Sequence, residues 1–352
     1  MKVIYLTNIP VHYKEKIHEK LSRKLKNDYL VIYANKIESN RQWKFKLGKY
    51  KKIFLNIVPI YYGDKYTYIN FSILKKLNKI KPEVLIINGN SFHMILSFFW
   101  AKFFKKKIIS TSDANIGFEK KIKLNIFQIF LRKLIYSKFD AYIGTSKKTI
   151  LLYKNYGAKK NLFYAPLAID QKKIFNTSRP YDVILCGRFV ESKLFEFAIK
   201  VLNEVNKIKK IKVKIIGYGP LKNQILSQLT SKKINYYYKG SVDPDKIIKE
   251  FAECKVFLFP TKYDAWGVVA NEACLAKTTV ITCKNAGCSN ELIINNYNGY
   301  VLNLNIKLWA NKLIYLLNNK EILKKFSNNS FELVKKFNSS FSSDQIIKAI
   351  KS

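Results

Sequence analysis

Residues 256–282 predict four elements in the order strand, loop, helix and strand, and this order constrains the fold more than any other feature of the chain. The apolar run 256–259 has the length and composition of a buried strand, and Pro260 ends it because proline has no N–H to donate. A helix is predicted over 268–276, and the β-branched run 278–282 predicts the next strand. Such alternation is typical of a parallel α/β sheet.

Two carboxylates flank the start of this predicted helix. Asp264 lies on the loop and Glu272 lies about one turn into the helix. Gly267 allows the backbone to approach a ligand, and the N–H groups at 267–269 carry the positive charge of a helix N-terminus, which suits a phosphate or diphosphate. Carboxylates beside such a site are expected to bind hydroxyl groups, so a sugar joined to a nucleoside diphosphate meets both demands.

An acid and a Glu separated by seven residues, set between strand-Pro and Glu-Ala, resemble the signature of the retaining glycosyltransferases of family 4. The resemblance implies the GT-B fold, an α/β architecture of two Rossmann-like doubly wound domains facing across a cleft. It also implies that Glu272 holds the ribose and that Asp264 holds the sugar, where the family usually has Glu. The alternative is a plain solvated loop and helix N-terminus.

Two cations follow the predicted strand 182–185. Members of the family carry Gly-Arg and then Lys-Gly at this place; Arg188 and Lys193 match, whereas Leu194 replaces the glycine. Two cations above a strand end can neutralise a leaving diphosphate in place of a metal ion. The alternative is two solvated cations in a lysine-rich chain.

The resemblance also predicts main-chain contacts to the donor. Gly219, in the loop after strand 212–216, is expected near the base and phosphate, and Val242 is expected to hold the base. The N–H groups of Gly267 and Val268 are expected at the diphosphate.

No metal and no cofactor besides the donor is expected. The chain has three histidines, and neither they nor the cysteines have zinc spacing. Asp243-Pro244-Asp245 has the spacing of metal-dependent transferases of another fold, but a predicted helix at 245–253 favours helix capping.

The first half of the chain begins as a doubly wound domain, with strand 2–7, a loop and helix 14–25. Asp113 ends strand 107–111, at a position where the family often holds a catalytic-site His. This acid is predicted to accept a hydrogen bond from the donor sugar or the acceptor hydroxyl; the alternative is the N-cap of the next turn. His93 is predicted to be a capped, half-buried imidazole.

Aromatic side chains bordered by lysines occur on the predicted helices 92–104 and 122–137. This composition suits the interface of a bilayer. It also suits an ordinary helix packed on a sheet, which is the more frequent case.

The predicted boundaries follow from the change in pattern at a polar linker. Residues 1–172 form an acceptor-binding domain, 171–180 the linker, and 180–340 a nucleotide-sugar-binding domain; helix 341–352 is expected to pack back on the first domain. The predicted catalytic set is Asp113, Arg188, Lys193, Asp264 and Glu272.

The net charge is +40, and it is uneven: residues 1–175 hold 36 basic and 10 acidic residues, which gives +26 against +14 for the remainder. A genome biased towards codons for Lys, Asn, Ile and Tyr explains part of this charge. The other cause is an anionic partner: a membrane, a lipid-linked glycan or a nucleic acid. Five cysteines, all after residue 180, indicate reduced and mostly buried thiols.

The prediction is therefore a retaining glycosyltransferase that moves a sugar from a nucleotide-sugar, expected to be a UDP-sugar, to a glycan or lipid-linked acceptor in polysaccharide or lipopolysaccharide synthesis. We expect it in the cytoplasm, with a peripheral position on the inner face of the plasma membrane as a further expectation, and no nucleic-acid partner. The alternatives are a basic nucleic-acid-binding protein, a GT-B epimerase, and a catalytically silent relative that docks on membranes.

Overall fold

The computed structural model describes residues 1–37, 44–62, 65–121, 125–170 and 178–352, and these divide into two compact units. The first comprises the described residues up to Ala168 together with Asn338–Ser352, and the second comprises Ile169–Phe337 with Lys44 and Phe45. The predicted linker 171–180 falls mostly outside the described residues.

The first unit is built on a parallel sheet. Its strands are β1 (Val3–Thr7), β2 (Tyr29–Tyr33), β3 (Lys52–Phe54), β6 (Val84–Asn88), β7 (Lys107–Ser112), β8 (Ala141–Gly144) and β9 (Leu162–Tyr164), and an antiparallel hairpin of β4 (Pro59–Tyr62) and β5 (Lys65–Tyr68) stands apart. The order β3-β2-β1-β6-β7-β8-β9 reverses direction between β1 and β6. This reversal is the switch point of a doubly wound sheet.

Helices cover both faces of this sheet. They are α1 (His12–Leu25), α2 (Ser72–Ile80), α3 (Phe92–Phe103), α4 (Ile116–Lys121), α5 (Ile126–Tyr136) and α6 (Lys147–Asn155). One apolar layer joins the sheet to α1, and the other joins it to α2, α3 and α5.

The second unit repeats the arrangement. Its six strands, all parallel, are β10 (Tyr181–Cys186), β11 (Lys212–Ile216), β12 (Asn235–Gly240), β13 (Cys254–Phe259), β14 (Thr279–Cys283) and β15 (Gly299–Leu302). Its helices are α7 (Phe195–Ile208), α8 (Lys222–Ser231), α9 (Ile247–Ala252), α10 (Val268–Leu275), α11 (Ile306–Asn318) and α12 (Lys320–Val334). The order β12-β11-β10-β13-β14-β15 reverses between β10 and β13.

The chain then returns to the first unit through α13 (Ser339–Lys351), two residues before the predicted start of the returning helix. Ile346, Ala349 and Ile350 pack in the same apolar layer as α1. Ser342 Oγ donates to Pro166 O at 2.7 Å. The last helix therefore belongs to the core of a unit built from residues far earlier in the sequence.

The structure corrects two predicted helices. The helix predicted over 122–137 begins at Ile126, because Asn125 caps it through a reciprocal bond with Gln128; residues 122–124 lie outside the described ones. The sequence also predicts a short helix that starts at Glu291, but Glu291 lies in a run of turns.

Three predicted helix-start roles also differ. The sequence predicts that residues 88–91 cap α3, but Ser91 makes no capping bond to this helix, and its hydroxyl donates to Asn8 Oδ1 at 3.2 Å. Helix α9 begins after Lys246 with no side-chain cap, so the predicted capping by Asp243 and Asp245 is wrong. His93 is fully buried, not half-buried.

None of the five cysteines, all of which the structure describes, forms a disulfide. Across the described ranges, no helix combines the length and the apolar character needed to cross a membrane.

Candidate functional site

The carboxyl ends of β10 and β13 meet at the switch point of the second sheet, which is where ligands bind in doubly wound folds. The loop after β10 carries Arg188 and Lys193, and the loop after β13 carries Asp264. Because β10 and β13 are hydrogen-bonded neighbours, the two loops lie side by side. The topology thus brings together residues that are far apart in sequence.

Lys193 and Asp264 form an ion pair across these loops. The backbone holds the carboxylate in place: Asp264 N donates to Asn285 O at 3.2 Å, and Asp264 Oδ1 accepts from Trp266 N at 3.3 Å. Lys193 Nζ also lies 5.7 Å from the centre of the Phe259 ring. The sequence prediction assigned these two side chains to different parts of a ligand, and in the structure each neutralises the other.

Arg188 is half-buried on the same loop as Lys193. Within the part of the chain that the structure describes, its guanidinium makes no hydrogen bond or ion pair, whereas its carbonyl accepts from Val190 N at 2.9 Å. A held backbone with an uncommitted guanidinium leaves a bidentate donor available for an anionic ligand.

Glu272 lies one turn into α10 and is only 4% exposed. Burial raises the pKa of the Cys186 thiol, the negative charge of Glu272 raises it further, and the positive charge of Lys193 opposes both. Glu272 and Lys193 therefore act on the same atom at the end of β10. The four residues Arg188, Lys193, Asp264 and Glu272 converge on one edge of the sheet.

The start of α10 depends on glycine. Gly267, the N-cap, has φ +93°, and a Cβ there would lie 2.5 Å from Phe259 Cε1. Trp266 beside it is fixed by its Nε1, which donates to Asn271 Oδ1 at 2.8 Å. The helix thus begins at a defined place, with its first N–H groups, those of Gly267 and Val268 included, directed out of the helix end.

Gly219 is required by close packing of two loops. A Cβ at Gly219 would lie 2.6 Å from Phe189 O, and Phe189 N donates to Tyr218 O at 2.6 Å. This contact fixes the loop after β11 against the loop that carries Arg188. Val242 follows β12, the next strand outward, and its predicted contact with a base stays a prediction.

Leu194 adopts the left-handed conformation, with φ 49° and ψ 40°. This is the position where the resemblance predicted a glycine, and glycine takes that conformation without the steric cost of about 1 kcal/mol or more that a Cβ brings. The left-handed backbone at this position therefore accounts for a glycine in the family pattern, and in this chain a leucine adopts it at that steric cost.

A second cluster of polar side chains lies at the switch point of the first sheet. With its amide oriented to satisfy both neighbours, Asn88 accepts from Lys14 Nζ at 2.8 Å and from Thr7 Oγ1 at 2.9 Å. Burial lowers the pKa of Lys14, but the neighbouring Tyr5 and Asp113 outweigh this effect, so that the pKa is raised and the cation persists. Asp113, directly after β7, thus faces a buried lysine that the sequence prediction missed.

The described residues contain no group of three or more His, Cys, Asp or Glu side chains that could hold a metal ion. The expectation that no metal is needed stays a prediction.

The family described as Glycosyl transferases group 1 matches residues 168–333. The uncharacterized glycosyltransferase MJ1178 of Methanocaldococcus jannaschii is 23% identical over 263 residues, 74% of this chain and 66% of that protein. The poly(ribitol-phosphate) alpha-N-acetylglucosaminyltransferase of Staphylococcus aureus is 28% identical over 151 residues, 42% of this chain and 30% of that protein. The chain spans about two thirds of the length of the first of these relatives, and less of the second.

Among solved structures, HepE of Anabaena in complex with UDP aligns over 100% of both chains, with a TM-score of 0.77 and 12% identity. At that identity the likeness concerns the fold, and it confirms the predicted GT-B class. The two cations and two carboxylates of the second unit lie inside the residues that the family matches, whereas Asp113 lies outside them. Residues 168–333, which make up nearly all of the second unit, are thus similar to the glycosyl transferases of group 1.

Proposed function

We propose that this protein is a retaining glycosyltransferase that uses a nucleotide-sugar, a UDP-sugar by preference, as donor. The observation that carries the proposal is the convergence of Arg188, Lys193, Asp264, Glu272 and the start of α10 at one switch point. Cations and helix N–H groups suit a diphosphate, and carboxylates suit sugar hydroxyls.

The diphosphate is assigned to Arg188, Lys193 and the N–H groups of Gly267 and Val268. The guanidinium of Arg188 supports this assignment, since it has no side-chain partner among the residues that the structure describes and a half-buried cation of this kind gains most from an incoming anion. Both cations would stabilise the charge that develops on the leaving group. They would do so without a metal ion.

The ion pair between Lys193 and Asp264 gives the donor site a defined arrangement before the ligand arrives. When a diphosphate binds, Lys193 would lie between the diphosphate and the Asp264 carboxylate and would bind both. Asp264 would then accept from a hydroxyl of the sugar while Glu272, buried one turn further along, accepts from the ribose. Preorganisation of this kind lowers the cost of ordering side chains on binding.

The reaction needs no protein nucleophile. The bond between the anomeric carbon and the phosphate oxygen breaks first, the acceptor oxygen attacks the same face of the sugar, and the departing phosphate oxygen takes the proton of the acceptor hydroxyl. Asp113, held beside Lys14, is proposed to accept a hydrogen bond from the acceptor hydroxyl or the donor sugar.

For the acceptor we propose an anionic glycan or lipid-linked glycan of the cell surface. The +40 net charge supports an anionic acceptor, as does the name of the Staphylococcus aureus relative, which acts on a poly(ribitol-phosphate). A reducing, cytoplasmic compartment fits five cysteines that form no disulfide.

Calorimetric titration with UDP and a panel of UDP-sugars, in buffer that contains EDTA, tests the donor site. We expect the Arg188→Ala variant to bind about tenfold more weakly, since it loses one charge-assisted contact worth roughly 1.5–3 kcal/mol at most. Lys307→Ala removes an exposed cation on α11 and is the matched control, which should bind as the wild type does.

Binding that appears only when a divalent ion is added would contradict the role given to the two cations. If no nucleotide binds while duplex DNA binds with steep salt dependence, the protein is a nucleic-acid-binding protein instead. Conversion of the donor without any acceptor would identify an epimerase.

A further inference from the structure

Helix α5 presents an apolar face to solvent, the reverse of the usual arrangement for a surface helix. Ile126 is 88% exposed, Phe127 70% and Phe130 62%, and Ile129 and Leu134 are exposed as well. Monomeric soluble proteins seldom expose so many large apolar side chains next to one another, and such patches mark interaction sites.

The exposure is not the fraying of a weak helix. The N-terminus of α5 is closed by a capping box, in which Gln128 N donates to Asn125 Oδ1 at 2.7 Å and Asn125 N donates to Gln128 Oε1 at 3.1 Å. The opposite face is anchored, since Ile135 and Tyr136 are buried and Tyr136 OH donates to Asn90 Oδ1 at 2.9 Å. The apolar side chains are thus held outward by a well-formed helix.

The end of α3 extends this face. Phe103 is 80% exposed, and Phe99 and Phe104 are exposed too. The two helices are joined where they end, because Lys102 Nζ lies 3.6 Å from Asp140 Oδ1 and the Phe98 and Phe139 ring centres are 5.1 Å apart. We call the exposed apolar residues of α3 and α5 the α3–α5 surface: Phe99, Phe103, Phe104, Ile126, Phe127, Ile129, Phe130 and Leu134.

Cations border this surface. Lys102, Lys105, Lys133 and Lys138 are all exposed. Among the acids nearby, Asp140 faces Lys102, and Glu119 is buried and paired with Arg132. The local field is therefore positive, within a half of the chain whose net charge is +26.

We propose that the α3–α5 surface docks on an anionic lipid bilayer, with its aromatic side chains in the headgroup region and its lysines on the lipid phosphates. Aromatic and aliphatic side chains rimmed by lysine match the two properties of such an interface, an apolar boundary and a negative surface potential. A second copy of the chain fits less well, because self-association would bring two positive surfaces together. The inference does not depend on the proposed function.

Vesicle flotation tests the docking surface without donor or acceptor. The wild type should float with vesicles of phosphatidylglycerol and phosphatidylcholine, bind pure phosphatidylcholine vesicles at least tenfold more weakly, and detach at high salt. The double variant Phe127→Gln/Phe130→Gln should bind the anionic vesicles about tenfold or more weakly than the wild type. Both substitutions are on exposed side chains, so thermal unfolding should be unchanged.

The matched control carries Ile208→Gln and Tyr315→Gln, which remove two exposed apolar side chains of the second unit. It should float as the wild type does. Equal flotation of the Phe127/Phe130 variant, or no binding of the wild type to anionic vesicles, would overturn the proposal. A dimer in light scattering that only the Phe127/Phe130 variant loses, with no vesicle binding, would show that a second copy covers the surface.

Discussion

The two sheets place polar side chains at the same topological position but hold them by different means. In the second unit, short loops that pack main chain on main chain carry the cations and carboxylates, as at Gly219 against Phe189. In the first unit, helix α1, strand β6 and the loop after β7 contribute Lys14, Asn88 and Asp113 to one polar cluster, in which Lys14 is buried. Loop packing fixes a site through backbone geometry, whereas a buried network fixes it through side-chain charge.

The comparison teaches which changes each site can tolerate. A site built on backbone contacts should lose function when a ligand-binding side chain is removed, while its shape persists. A site built on a buried network should lose function when any member is removed, because the remaining members reorganise. Predictions for each unit can separate these behaviours.

The largest effect is expected in the second unit. Glu272→Ala should lower kcat/KM for sugar transfer by about 10³-fold, because it removes a buried carboxylate assigned to the ribose. Near-normal circular dichroism should accompany the loss, since the contact of Gly219 with the Phe189 main chain is made by other residues. Steady-state kinetics with the donor identified by titration makes the measurement.

Glu272→Gln serves as its control, since it keeps the shape and part of the hydrogen bonding and should retain more activity than the alanine variant. Unchanged turnover in Glu272→Ala would reject the ribose assignment. It would also contradict the expectation that this site loses function when a ligand-binding side chain is removed.

A smaller effect, on the order of tenfold to a hundredfold in kcat/KM, is expected for Lys14→Met and for Asp113→Asn. The double variant should be no worse than the worse single one, because each substitution already removes one partner of the same charge–charge interaction. Measurement of all four forms gives the coupling directly.

The Lys14→Met variant should also shift the pH profile of kcat/KM relative to the wild type, a change that a purely structural role would not produce. Additive effects in the double variant would show that Lys14 and Asp113 act independently, and the contrast between the two sheets would then fail for this residue pair.

The last effect concerns stability at low pH and not turnover. Burial lowers the pKa of His18 to about 3 from its usual 6.5, and the charges of Lys14 and Lys52 add to this effect. The neutral ring, with Nδ1 2.7 Å from Tyr29 OH, therefore contributes stability that is complete above about pH 6.5 and is lost as the pH falls towards 3. The free energy of unfolding should fall by about 1.4 kcal/mol per pH unit in this window.

Urea unfolding at several pH values, monitored in wild type and His18→Gln, checks this sign. The variant should show a flatter dependence below pH 6.5. An identical slope in both proteins would mean that another group of the first unit controls acid unfolding.

Local patterns predicted most of the second unit, because its site residues lie in short contiguous motifs. Strand β13, the loop with Asp264 and helix α10 follow from residues 256–282 alone. The ion pair between Lys193 and Asp264 does not, since it joins residues in different βα loops whose proximity depends on strand order.

The first unit was less predictable for the same reason. In the sequence, Lys14 is one of several lysines on an amphipathic helix. Only the tertiary structure shows that Lys14 is buried and that it lies near Asn88 and Asp113. The composition of α5 suited both a bilayer interface and packing on a sheet, and only the structure shows that its apolar face is exposed.

Helix α13 has a consequence for synthesis on the ribosome. Most of the first unit is translated before the second unit, yet part of its apolar core, Ile346 and Ile350 among it, is translated after the entire second unit. Nascent chains should therefore carry an unfinished amino-terminal lobe for most of translation. Chaperone occupancy should persist on that lobe until residues 339–351 emerge.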